Sequence, residues 1–429
     1  MQFTAHAITQ SGIDHLVLLD ARQAAKGLGG DNGFIVIAVA CEVDQLDFGT
    51  DNPVRNQAGN IFCIHGHDRN VCGRVQPLCI DPKPNLIAGV SDMRSLLFVA
   101  GFIAFGLPSA SFAQNVEIDR EQTLEDLRIL SADDMQGRRT GTNGAHQARS
   151  YIRARMGEAG LRPSVRNYDQ VFTYTPRRSE EELTGGNLVG YIEGADRDGP
   201  ILVVTAHYDH LGECGGQICN GADDNASGVS AMLAIADILG NTTPEHTIVF
   251  AALDAEENGL NGARALVAEL PGIRERAVLN INLDMLAINA DHELPAAGAF
   301  HFPFLRAHID AAAVVEPTNL IQGYDSPEWG PNGDWTYSSD HAAFHDAGIP
   351  WIYYGVDFHE HYHQPTDEIE VVQQDFFLSN AQTVLNAVVY FDANLETVAE
   401  ELAAQRAAAP DVEEAHISED GRFIKPGME

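Results

Sequence analysis

Ile201-Leu202-Val203-Val204-Thr205, followed at once by Ala206-His207-Tyr208-Asp209-His210, is the stretch on which the fold turns. A short unbroken apolar run of this kind is what a fully buried strand requires. The pattern returns at Thr247 to Leu253, followed by Asp254-Ala255-Glu256-Glu257, and at Val278 to Leu283, followed by Asp284. Asn187 to Ile192 and Trp351 to Tyr354 are two further strand candidates. Around them, Leu124 to Ile129, Ala145 to Met156, Ser227 to Leu239, Gly262 to Leu270 and Phe376 to Phe391 carry the three-and-four spacing of helices. Asn143 and Gly144 give a start signal for the second of these, and Gly160 a stop. Strands alternating with helices predict an α/β fold with a mixed, mostly parallel central sheet flanked by helices on both faces.

The charge narrows the partners. Across 429 residues, 26 Lys plus Arg stand against 62 Asp plus Glu, a formal net of -36, and the lysines are Lys26, Lys83 and Lys425. That field repels a phosphate backbone or an anionic lipid surface, so no nucleic acid and no membrane are expected as partners. No apolar run reaches the roughly 18 to 20 residues of a membrane-spanning helix. The oligomeric state is not legible.

Met93-Arg94, the apolar stretch Leu96 to Leu107, then Pro108 and a small-x-small site at Ser111 and Ala113 before Gln114 match a secretory signal. The expected organisation is therefore an upstream extension at 1–92, a signal peptide at 93–113, a catalytic domain at 114–400 and an acidic tail at 401–429. The alternative is a genuine N-terminal domain, whose one good strand-like run is Gly33 to Ala40. Its Cys63, His65, His67, Cys72, Cys79 cluster resembles metal-ligand spacing only weakly. Cleavage near Ala113 implies a periplasmic or secreted protein, a location that permits a disulfide between Cys214 and Cys219.

Ligands of open α/β sheets bind beyond the carboxyl ends of the strands. Here those ends carry His207, Asp209, Asp254, Glu256, Glu257 and Asp284, with Gly221-Ala222-Asp223-Asp224-Asn225 at a helix start and Tyr362-His363-Gln364-Pro365-Thr366-Asp367 late in the chain. Converging carboxylates repel one another unless a cation neutralises them. A mixed nitrogen and oxygen donor set without thiolate suits zinc best and leaves manganese, cobalt or iron open. The Glu256-Glu257 pair, read on an extended backbone, sends its side chains to opposite sides, so one holds metal while the other reaches a water.

In order, TAHYDHLG, NGADDNASG, LDAEENGLNGA, NLDM, SSDHAAF and YHQPTDE resemble the zinc exopeptidases that include bacterial leucyl aminopeptidases and, more distantly, glutamate carboxypeptidase and glutaminyl cyclase. The likeness runs from about Thr123 to Ala393. It implies two zinc ions bridged by Asp224, with His207 and Asp284 completing one site and Glu257 and His363 the other. It also implies that Glu256 is the general base, that Asp209 orients His207, and that the Asp224-Asn225 peptide is cis. Within HEHYH, the His-x-Pro-x-Asp pattern selects His363 over His359 and His361. Asp340 and His341 fall on the substrate side or behind the ligands, Asp254 behind them, and Asp223 is a loop carboxylate.

The expected activity is a metallo-aminopeptidase acting on the N-terminal bond of peptides. A carboxypeptidase would need an Arg cluster, for which only Arg264 lies near; a glutaminyl cyclase works with one zinc; a non-catalytic binding protein could dispense with Glu256. Phe300, Phe302, Phe304, Trp329 and Trp335, between Ala290 and Tyr337, are read as core rather than pocket.

Overall fold

The computed structural model describes residues 117–176 and 181–408, and four short strands nearer the N-terminus. The chain divides into two units, Met1–Leu107 and Pro108–Glu429. In the first, His6–Gln10 pairs antiparallel with Ile13–Leu18, and Ile61–Ile64 with Val71–Arg74, where Cys63 falls opposite Cys72. Gly33 to Ala40, the expected signal at 93–113 and residues 409–429 lie outside the described residues.

The second unit holds eleven described strands: β1 Arg162–Pro163, β2 Asp169–Tyr174, β3 Leu183–Ile192, β4 Asp196–His207, β5 Gly212–Cys214, β6 Gln217–Cys219, β7 His246–Leu253, β8 Ala277–Leu283, β9 Glu293–Ala297, β10 Asn319–Gln322 and β11 Trp351–Tyr354. The helices are α1 Arg120–Leu130, α2 Asn143–Glu158, α3 Gly228–Leu239, α4 Asn261–Glu269, α5 Pro271–Arg276, α6 Leu305–Ala311, α7 His341–Asp346 and α8 Gln374–Ala408. Nine strands form one sheet in the order β10-β9-β11-β8-β4-β7-β3-β1, with β2 also on β3. The four central strands, β11-β8-β4-β7, run parallel, while β3 meets β7 and β9 meets β11 antiparallel. Because β4, β7, β8 and β11 point the same way, their carboxyl ends open on one edge.

Alternation along β4 shows why that run is apolar throughout. Leu202, Val204 and Ala206 pack into one core with α1, α2, α3 and α8. Ile201 and Val203 pack into another with Leu266 of α4, Ile273 of α5 and Phe344 of α7. Helices thus cover both faces, as the sequence predicts. Between β4 and β8 the sheet also carries a buried polar link, in which Thr205 Oγ1 donates to Asn282 Oδ1 (2.6 Å) and Asn282 Nδ2 donates to Ser339 Oγ (2.9 Å). That link holds the Ser339-Asp340 segment against the strand ends.

Every strand and helix predicted within the described residues of the second unit is present, most with ends moved by a few residues. Asp119 caps α1 by accepting from the Glu121 and Gln122 amides, and Thr142 rather than Asn143 caps α2. The largest departure is α8, which does not stop near Phe391 but continues to Ala408, with Leu395, Val398 and Leu402 buried. Their three-and-four spacing keeps one apolar stripe in the core, and each buried residue contributes about 1.5–3 kcal/mol. The Ala/Glu composition of that stretch hides the stripe. Cys214 and Cys219 form the expected disulfide across the β5–β6 hairpin.

Candidate metal centre

His207 ends β4, Glu256 and Glu257 follow β7, and Asp284 follows β8, so three parallel strands deliver donors to one edge. Asp224 arrives from the loop before α3, where the Asp224-Asn225 peptide is cis as expected. Its two carboxylate oxygens divide: Oδ1 lies 3.4 Å from His207 Nε2, and Oδ2 lies 3.1 Å from His363 Nε2. Asp284 Oδ1 joins the first at 3.3 Å from His207 Nε2, and Glu257 Oε2 the second at 3.4 Å from His363 Nε2. Two donor groups that share Asp224 therefore stand side by side, and Glu256 also stands with His207 and Asp284, as His210 does with Asp224 and Glu257.

Glu256 and Glu257 separate for a reason other than the expected one. They do not lie on an extended strand but in a turn after a left-handed Ala255 (φ 59°), with the Gly259 and Leu260 amides donating to the Glu256 carbonyl. The turn sends Glu256 toward His207 and Asp284, and Glu257 toward His210 and Asp224. Asp209 also acts differently. His207 Nδ1 is 3.1 Å from the backbone carbonyl of Asp209 and 3.8 Å from its carboxylate. The Asp209 carboxylate instead accepts from the Glu256 amide at 3.0 Å, so it anchors the turn that carries the expected base.

The late loop is sorted clearly. His363 reaches the centre, stacked by Tyr362 at 3.8 Å, whereas His359 pairs with Asp223 at 3.0 Å and His361 with Thr366 Oγ1 at 3.0 Å. Asp367 explains its place in the pattern: its two oxygens accept from the Asp223 and Asp224 amides, which holds the shared ligand's loop. Asp223 is more than a loop carboxylate, because its Oδ1 accepts from the Ala287 amide at 2.7 Å and its side chain is fully buried.

Four groups escaped the sequence reading. His210, fully buried, has Nδ1 2.8 Å from Glu257 Oε1, and a side chain at Gly221 (φ 57°) would collide with its ring. Arg138, also fully buried, donates to the carbonyls of Tyr208, Leu130, Asn220 and Gly221. Thr140 Oγ1 sits between Asp254 (2.7 Å) and Asp209 (3.3 Å). Tyr353 closes one wall. The only signal for the middle two was the polar string Gly137 to Thr142, which has no periodicity and resembles an ordinary loop.

The electrostatics test whether a cation fits. Burial pushes the Glu256 carboxyl well above the usual carboxylate range, and Glu257, Asp340 and Asp284 push the same way against His207. Burial acts likewise on Glu257, but the bonds from His210 and His363 hold it well below that range. Burial opposes charge on both ligand imidazoles; even so Asp284 and Glu256 raise His207 well above its ordinary value, and the bonds to Asp224 and Glu257 raise His363 to about 10. Protons on the two Nε2 atoms thus supply the positive charge that these carboxylates demand. A divalent cation meets the same demand with a donor set suited to zinc.

His341, behind this edge, shows the opposite case. It stacks on Trp351 (4.3 Å) and Tyr353 (4.9 Å), and only its Nε2 has a partner, the Trp335 carbonyl. Burial depresses its pKa to about 3, with His345 and His301 adding to the effect. An unfolded histidine takes a proton near pH 6.5, so below that pH the unfolded state binds more protons and stability falls until about pH 3. In urea unfolding of the metal-free chain, wild type should lose about 2 kcal/mol more than His341→Gln between pH 7 and 5. Equal losses would show that the ring is protonated in the folded state.

A shared carboxylate between two nitrogen and oxygen donor groups, at the carboxyl ends of central parallel strands, defines a metal-binding α/β domain of the hydrolase type. Residues 187–388, a little under half of the chain, match the model of peptidase family M28. Over 216 residues it is 32% identical to aminopeptidase YwaD of Bacillus subtilis (strain 168), covering 48% of this chain and 44% of that one. It is 32% identical over 165 residues to the alkaline phosphatase isozyme conversion protein of Escherichia coli (strain K12), covering 35% and 47%. The matches thus span less than half of these relatives. The fold is that of BSAP, a zinc aminopeptidase from Bacillus subtilis, with a TM-score of 0.52 at 18% identity over 64% of this chain and 95% of that one.

Proposed function

We propose that the domain is a two-zinc aminopeptidase that hydrolyses the N-terminal bond of peptides. The observation that carries this is the pocket beside the donor groups. Its polar floor is Asp224, Glu256 and Asp284, its walls include Met285, Trp335, Tyr353 and Val356, and among the described residues no Arg or Lys lines it. Capture of a peptide's α-carboxylate needs a cationic side chain, and none of the described lining residues is one, which supports the amino end over the carboxyl end.

Two zinc ions held by His207, Asp224, Asp284, Glu257 and His363 would supply the Lewis acidity that polarises the scissile carbonyl and makes water nucleophilic near neutral pH. Glu256 accepts the proton of the attacking water on its carboxylate and delivers it to the leaving amine. Asp209, through the Glu256 amide, keeps that carboxylate beside the first donor group. A periplasmic or secreted location belongs to the same proposal, and the Cys214–Cys219 disulfide supports it.

The test is incubation of the zinc-loaded full chain with a mixture of peptides, followed by mass spectrometry of which end shortens. Stepwise loss from the amino end is expected. Loss from the carboxyl end would make it a carboxypeptidase. No shortening, with cyclisation of N-terminal glutamine, would make it a cyclase.

A further inference from the structure

The pocket wall made by Trp335 continues toward the surface. Tyr324 stacks on Trp335 with ring centres 4.0 Å apart and planes at 21°, and Trp329 stacks on Tyr324 at 4.3 Å and 19°. Trp335 is 3% exposed and lines the pocket, whereas Trp329 is 46% exposed. Phe300, Phe302, Phe304, Trp329 and Trp335 were all expected in the core; Trp335 and Phe302 are buried there, Phe304 packs against it half-buried, and Trp329 and Phe300 are open to solvent.

This three-ring ladder is built into its loop. A side chain at Gly323 would run into the Trp329 ring, so the glycine leaves the space in which that indole lies on Tyr324. The Trp335 amide donates to the Tyr324 carbonyl at 2.7 Å, which holds the inner pair together. The buried Asp325 carboxylate accepts from the Gly298 and Phe300 amides, both at 2.8 Å, and pins the loop to the segment after β9. The stack on Tyr324 fixes the indole's orientation, while nearly half of its surface stays open to solvent for an apolar group to lie against. The indole is positioned for something that arrives.

An enzyme that removes one N-terminal residue admits that residue to its pocket and lets the rest of the peptide leave past the pocket wall. A group stacked on the outer face of Trp329 lies about 12 Å from Trp335; an extended chain advances about 3.3–3.6 Å per residue, so the third and fourth residues stand about 7 and 10 Å beyond the first, and a large side chain on either spans the remainder. Resting on the aminopeptidase reading, we propose that Trp329 is a subsite for an aromatic or large apolar side chain at the third or fourth position of the peptide substrate.

The test uses the zinc-loaded full chain with Leu-Gly-Gly-Gly, Leu-Gly-Phe-Gly and Leu-Gly-Gly-Phe, and with Leu-Gly as reference. One of the two Phe peptides should exceed the all-Gly peptide in kcat/KM by roughly three- to tenfold, the worth of one aromatic stack. Trp329→Ala should bring that ratio to about one, and Trp329→Phe should restore most of it. A ratio of one in wild type, or a preference that survives in Trp329→Ala, overturns the subsite while Leu-Gly hydrolysis leaves the aminopeptidase reading standing. A concentration-dependent dimer that Trp329→Ala abolishes, without any peptide preference, assigns the indole to a second copy and overturns it as well. Failure to cleave even Leu-Gly overturns the aminopeptidase reading and the subsite with it.

Discussion

Glu256→Gln should lower kcat by roughly 10²- to 10⁴-fold, the range over which a positioned general base contributes, while the zinc content stays that of wild type. The substitution preserves shape. The backbone amide that donates to Asp209 is untouched, so the turn after β7 should keep its course. What is lost is a carboxylate able to take a proton and pass it on. Zinc content gives the experiment its discrimination, because Glu256 stands within the group formed by His207 and Asp284 and could in geometry serve as a third ligand there. A variant that loses one ion along with activity would make Glu256 a ligand and leave the base unassigned. Full activity in the variant would remove Glu256 from the role of general base.

The second large effect is expected at Arg138. Its guanidinium touches no carboxylate directly; it donates to four carbonyls, one at the end of α1, one between His207 and Asp209, and two just before Asp224. It therefore ties the loop of the first imidazole ligand to the loop of the shared carboxylate. Burial lowers its pKa to about 10, and the nearby charges of Asp224, Asp367, Asp209 and Glu257 offset part of that cost. Arg138→Met takes its donor from four carbonyls, of which Gly221 keeps the Ala226 amide, and removes a fixed positive charge beneath an acidic centre. A loss of about 3–5 kcal/mol is expected, together with weaker zinc binding in a chelator competition. Arg138→Lys should recover little, since one ammonium cannot span a four-carbonyl fork. If the melting temperature falls but zinc affinity does not, Arg138 is a structural clamp with no part in shaping the centre.

These two predictions differ in where they could be read. Glu256 was legible because it follows an apolar strand, and in a parallel sheet the end of a strand is where ligands collect. The same local rule exposed His207, Asp284 and Glu257, and the offsets of Pro365 and Asp367 picked His363 from three neighbouring histidines. Those residues gather within hydrogen-bonding distance of one another, and Asp224 joins both groups. Arg138, Thr140 and His210 left no such trace. Arg138 reaches carbonyls 8, 70, 82 and 83 residues away, and backbone carbonyls are the same at every position of a sequence. Nothing in the chain marks which of them will lack a partner until the fold has closed.

The amino-acid sequence by itself determined the α/β class, the strands that end at the centre, the donor types and the cation they require, since hydrophobic period and residue chemistry are local properties. The tertiary structure alone decided that Asp209 meets the His207 ring through its backbone carbonyl and the Glu256 turn through its carboxylate, that α8 stays in the core to Leu402, and that Trp329 stands open at the outer end of a stack whose inner ring, Trp335, is buried. Each of those depends on which distant surface a residue meets, and burial is a property of the packed chain.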